Sequence, residues 1–171
     1  NFLAARTGCS SIHLVGLRFG ATVATVAASK LDRAEATVLW DPVTDGAAYV
    51  DELARRHRKS FLDPAPRFRT TPSGQEVADL LGLPATRTLL GELQGIDLSV
   101  YRSLQHQPVL WIDSSEDGTG SESVATLAAD LGRLEYRSIQ YPEIWSQDPY
   151  KVRLPHDILH TIGSWLLEHG Q

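Results

Sequence analysis

Three short stretches carry residues whose types and spacing suit chemistry. Gly16-Leu17-Arg18-Phe19-Gly20 sets an arginine between two glycines. Asp113-Ser114-Ser115-Glu116-Asp117-Gly118 is an acidic turn, and Leu154-Pro155-His156-Asp157 places an imidazole near the end of the chain. An imidazole oriented by a carboxylate can take a proton from water, and a guanidinium can stabilise a developing oxyanion. Arg18 cannot be a nucleophile, because a guanidinium stays protonated and offers no lone pair.

Residue patterns indicate what positions these groups. Residues 12–16 are a β-prone apolar run, and residues 18–31 an Ala-rich helix with small residues Gly20, Ala21, Ala24 and Ala28 along one face. Residues 37–40 read as a second strand and 46–56 as a second helix. From 57 to 107 the rhythm breaks into a basic run, a Pro-rich stretch and two expected short amphipathic helices, near 75–81 and 85–93. Alternation resumes with a strand at 108–112, a helix at 122–131, a strand at 134–140 and a final helix at 156–169. That helix repeats Ile158, Ile162, Trp165 and Leu166 at helical spacing. Strands alternating with helices predict an α/β fold with a partial, doubly wound, mostly parallel sheet. Its first strand is expected to expose one edge.

A strand, then a glycine-flanked residue, then a small-residue helix is the layout of a nucleophile elbow. The acidic turn after the third strand and the histidine before the last helix follow in the chain order of that fold. On these residues the chain resembles the C-terminal portion of an α/β-hydrolase-fold protein, over nearly all of its length. The segments GLRFGA and VLWDPVTDGAAYVDEL are similar to the bacterial serine-aminopeptidase-like and exosortase-system-associated hydrolases. The resemblance implies Asp117 as the acid and His156 as the base. It puts Arg18 where the nucleophile would stand, with Arg18 and Phe19 facing a ligand or oxyanion. It also implies one hydrolase-like domain over 1–171 with a helical cap insertion at about 57–107, and upstream strands with one oxyanion-hole loop. Both glycines of the turn are expected to be places where a Cβ would collide.

Other residues carry plainer expectations. Asp41-Pro42 is an alternative position for the acid but reads first as a strand end, and Asp45-Gly46 as a helix start. Cys9 reads as a buried or half-buried thiol, and His13 as a packed strand residue. His156 and His160 have metal-capable spacing, yet no Glu-bearing H-E-x-x-H pattern or cysteine pair accompanies them, so neither a metal nor a cofactor is expected. The run Arg55 to Lys59 reads as a solvated helix end.

Sixteen basic against 21 acidic residues, a net charge of −5, argue against a broad nucleic-acid surface. No stretch is apolar enough for a membrane span, and the lone cysteine leans towards a cytoplasmic protein. The chain begins at Asn1 without a methionine, so an upstream segment is expected. Three functions fit. One is a degenerate hydrolase that binds a small acyl or anionic ligand, or closes its site with an Arg18–Asp117 pair. Another is a hydrolase of esters, thioesters or lactones using water as nucleophile. The third is a scaffold that pairs as a homodimer or with a chain carrying the missing strands.

Overall fold

The computed structural model describes residues 6–9, 11–31, 34–61, 67–115, 120–141 and 154–169. They fall into two units, one of residues 1–42 and 98–171, the other of residues 43–97.

The first unit is built on four parallel strands: β1 (Ile12–Leu17), β2 (Ala34–Trp40), β6 (Val109–Asp113) and β7 (Leu134–Ser138), side by side in the order β1-β2-β6-β7. Helix α1 (Phe19–Ala28) follows β1, α4 (Gly120–Leu131) follows β6, and α5 (His156–His169) closes the chain. A 3-10 helix, Leu98–Leu104, precedes β6. The expected elements are thus present within a few residues of their expected ends, and the 3-10 turn is an addition.

Parallel strands need cover on both faces, and the residue alternation supplies it. Leu39, Val109 and Trp111 join Ala21, Ala28, Tyr101, Leu104 and Leu127 on one face. Val38, Trp40, Leu110 and Ile112 join Ile158, Ile162 and Trp165 on the other. Fully burying each of the Leu, Ile and Val side chains among them contributes about 1.5–3 kcal/mol. Tyr101 packs edge-on to Trp111 with ring centroids 5.4 Å apart, and its hydroxyl pairs with that of Thr22 at 3.1 Å. Trp165 donates from its indole to Glu135 at 3.0 Å. At the sheet edge, β1 pairs with β2 alone among the described strands. Val15, on the face that α5 covers over the inner strands, is 52% exposed.

The second unit holds α2 (Gly46–Phe61), a three-stranded antiparallel sheet of β3 (Phe68–Thr70), β4 (Glu76–Leu80) and β5 (Leu83–Thr86), and α3 (Arg87–Gln94). Residues 76–80 are therefore a strand where a helix was expected. Seven residues between Gly74 and Gly82 are too few to sustain a helix. Leu81 and Gly82, at φ 56° and 85°, make a two-residue turn into β5 instead. The insertion is mixed rather than helical throughout. Thr86 caps α3, its hydroxyl accepting the Leu89 N–H at 3.1 Å. Asp45 opens α2 by accepting the Ala48 N–H at 2.9 Å, as a helix start should. Helix α2 continues through the basic run. Arg58 and Lys59 lie exposed in its last turn, but His57 turns inward, 5% exposed, and its Nδ1 accepts the Leu81 N–H at 3.0 Å. The unit's two ends meet: Asp45 bridges Asp97, and the Gly46 N–H donates to the Ile96 carbonyl at 2.8 Å.

Candidate active site

The turn from β1 into α1 is tight for a reason visible at Gly16. A Cβ there would overlap the Ala21 Cα and the Gly20 carbonyl oxygen, and stand 2.6 Å from the Ala21 nitrogen. Gly20 differs from expectation: a Cβ on it would meet nothing within 4 Å. One glycine makes room for the turn, and the other merely opens the helix.

Arg18 is the apex. It has φ 55° and ψ −125°, a backbone that L residues seldom adopt, and it precedes the first residue of α1 with no side-chain cap. Its N–H donates to the Trp40 carbonyl at 2.9 Å, which carries the β1–β2 ladder one residue past the strand end. The first N–H groups of α1, including that of Phe19, open a helix that has no intrahelical acceptors for them.

Asp41 leaves β2 in the same way. Its φ is 44°, and its N–H donates to the Ile112 carbonyl at 2.8 Å. Its carboxylate accepts the Ser114 N–H at 2.6 Å and also the Ser114 hydroxyl. That hydroxyl in turn accepts the Trp40 indole N–H at 3.4 Å. Burial pushes Asp41 above its ordinary pKa of 3.8, and the Asp113 charge adds to that; the two Ser114 hydrogen bonds and the Arg18 charge pull the other way. Asp41 is thus more than a strand end: a fixed carboxylate in electrostatic contact with Arg18.

Asp113, at the end of β6, is buried and accepts the Ser115 N–H and hydroxyl at 2.9 and 2.6 Å on one oxygen and the Tyr136 hydroxyl at 3.1 Å on the other. Burial, then the Asp113 charge, raises the Tyr136 phenol. Arg18, Asp41, Asp113 and Ser114 therefore stand at the carboxyl ends of three adjacent parallel strands, where ligands of open α/β sheets bind.

Of the residues singled out in the sequence, Arg18 and Phe19 lie at this edge. His156 is exposed as the first residue of α5, and Asp117 lies outside the described residues. Sequence reasoning passed over Ser114 and set Asp41 aside. The dipeptide Ser114-Ser115 after a strand-ending Asp was the available signal. Cys9 is exposed rather than buried, because it precedes β1 rather than lying within it. His13 is half-buried in β1 with its Nδ1 unpartnered among the described residues. No helix of the described residues is long and apolar enough to cross a membrane.

No family model matches the sequence, and no curated protein does. Solved structures do. An esterase of Pyrococcus furiosus superposes at TM-score 0.59 and 16% identity, over 99% of this chain and 58% of its own. An esterase domain of a Rhodothermus marinus protein gives 0.60 and 20%, over 96% and 64%. An alpha/beta hydrolase from a Penicillium species gives 0.53 and 18%, over 94% and 64%. These likenesses establish a hydrolase-type α/β fold. The chain spans about three fifths of the length of these structures.

Proposed function

We propose that the chain carries an acyl-binding site of the α/β-hydrolase kind in which Arg18 has taken the nucleophile's place. The site receives the carbonyl oxygen of a small ester, thioester or lactone, with the Arg18 guanidinium and the Phe19 backbone N–H as donors, and forms no covalent intermediate. The observation that carries this reading is the backbone of Arg18. A non-glycine residue held at φ 55° between a strand and a helix is a strained conformation of the kind that clusters at functional sites. The guanidinium it presents has donors and no electron pair to attack with.

Hydrolysis by water is the second reading. His156 opens the helix that follows the last described strand, the place where a base oriented by Asp117 would act. Water attack suits lactones and thioesters better than amides, so peptidase activity is not part of the proposal, even though GLRFGA is similar to a peptidase-like subgroup.

The test is an assay of the full-length protein against short acyl esters, thioesters and lactones, with His156→Ala and Arg18→Gln alongside. Ligand binding that Arg18→Gln abolishes, without turnover, supports the binding site. Turnover that disappears in His156→Ala replaces it with the water mechanism. Neither binding nor turnover removes both and leaves a scaffold, for which the edge of β1 that no described strand pairs and the exposed Val15 are the supporting features. Native mass, as homodimer or with a second chain, then decides that case.

A further inference from the structure

We infer that Asp41 makes this site select uncharged acyl compounds over carboxylates. The inference rests on the acyl-binding reading of Arg18 and names the ligand class more narrowly. An arginine at a helix start would ordinarily attract anions. Here the arginine has company. Asp41 leaves the neighbouring strand beside it, and its carboxylate is pinned by the Ser114 N–H at 2.6 Å and by the Ser114 hydroxyl. The Arg18 guanidinium and the Asp41 carboxylate act on each other electrostatically, and Asp113, at the end of the next strand, opposes Asp41. One guanidinium thus stands at the strand ends with two carboxylates, and the Asp41 charge also acts on the Tyr136 phenol.

The Asp41 charge offsets that of Arg18, and Asp113 leaves the strand ends one negative charge in excess. An ester, thioester, lactone or amide brings a carbonyl oxygen that accepts a guanidinium N–H without adding charge. A free acid brings a third carboxylate into a partly buried site, where like charges repel more strongly than in water. The fixed position of Asp41 matters, since a mobile carboxylate would swing away from an incoming anion. In an active enzyme the same arrangement would expel the acid product while admitting the acyl substrate.

Butyramide and butyrate have nearly the same shape and differ in charge, and neither needs to be turned over. Their binding to the full-length protein at pH 7, followed by NMR shifts, is expected to favour butyramide. Asp41→Asn, which keeps an acceptor for Ser114, is expected to tighten butyrate about tenfold, the scale of one close unscreened charge, and to leave butyramide within about twofold. Butyrate binding the native protein as tightly as butyramide overturns the inference without any variant. So does a ratio that Asp41→Asn leaves unchanged. Binding of neither probe, or binding that Arg18→Gln does not weaken, overturns the acyl-site reading itself and the inference with it.

Discussion

The Arg18 N–H donates to the carbonyl of Trp40, the residue before Asp41, so two adjacent strands end in neighbouring residues that share an unfavourable backbone, φ 55° and φ 44°. Two non-glycine residues of opposite charge thereby follow the carboxyl ends of adjacent strands. Neither backbone is imposed by a glycine or a proline at that position; the hydrogen-bond ladder and the close turn at Gly16 hold them.

Glycine at position 18 tolerates such a backbone. Arg18→Gly is therefore expected to raise stability by about 1 kcal/mol while abolishing acyl binding, the mark of strain kept for function. A shift of the urea midpoint at constant m measures the first part. A midpoint that falls shows that the guanidinium holds the turn together.

The two glycines of the turn are expected to behave oppositely. Gly16→Ala forces a Cβ into the backbone of Gly20 and Ala21, and is expected to cost about 3 kcal/mol or more. Gly20→Ala adds a methyl where nothing lies within 4 Å, in the first turn of α1, and is expected to stabilise by about 0.5–1 kcal/mol. Thermal melts of the pair suffice. Similar losses in both would mean that the turn is crowded on both sides.

Much of this was legible in the chain, and the illegible parts have physical causes. The strand at residues 12–16, the helix that follows it, the place of Arg18 between the two and the final helix at 156–169 follow from apolar runs and glycine positions, which are local properties. The β4–β5 hairpin was not legible, since Glu76-Val77-Ala78-Asp79-Leu80 suits a helix as well as a strand and its turn puts a leucine at positive φ. Asp41 reads as a strand end because its partner, Ser114, lies 73 residues away. His57 hides in a run of four charged neighbours, and only the hairpin amide that it receives reveals that it is buried.

The Asp41 carboxyl gives a pH signature. Burial chiefly raises its pKa above 3.8, so the folded protein holds this proton more tightly than the unfolded chain. Stability from the protonated group is complete below 3.8 and is lost as pH rises through the higher folded value. Asp41→Asn cannot ionise. Its stability relative to the native protein is expected to rise from acid pH towards pH 7, read as urea midpoints along a pH series. A difference that shrinks with rising pH would show the ionised carboxylate to be favoured by folding.

Tyr101 supplies the alkaline counterpart. Burial raises its phenol from 10.0 to about 12, against a smaller opposing effect of the Thr22 hydrogen bond. The native state retains the proton that the unfolded chain gives up, so stability is expected to fall from pH 10 towards 12. Tyr101→Phe removes the Tyr101 share of that slope and, by leaving the buried Thr22 hydroxyl without its partner, costs about 1–3 kcal/mol at pH 7. Chemical denaturation of both proteins at pH 7 and above pH 10 separates the two effects.

The residues near the two ends of the second unit are tied to each other, Asp45 to Asp97 and Gly46 to Ile96. A stretch of chain whose entrance and exit coincide behaves as an exchangeable cassette. It can lengthen, shorten or be replaced between those two ties without altering the distance its neighbouring strands must span. Arg18 and Asp41 lie on the chain outside those two ties.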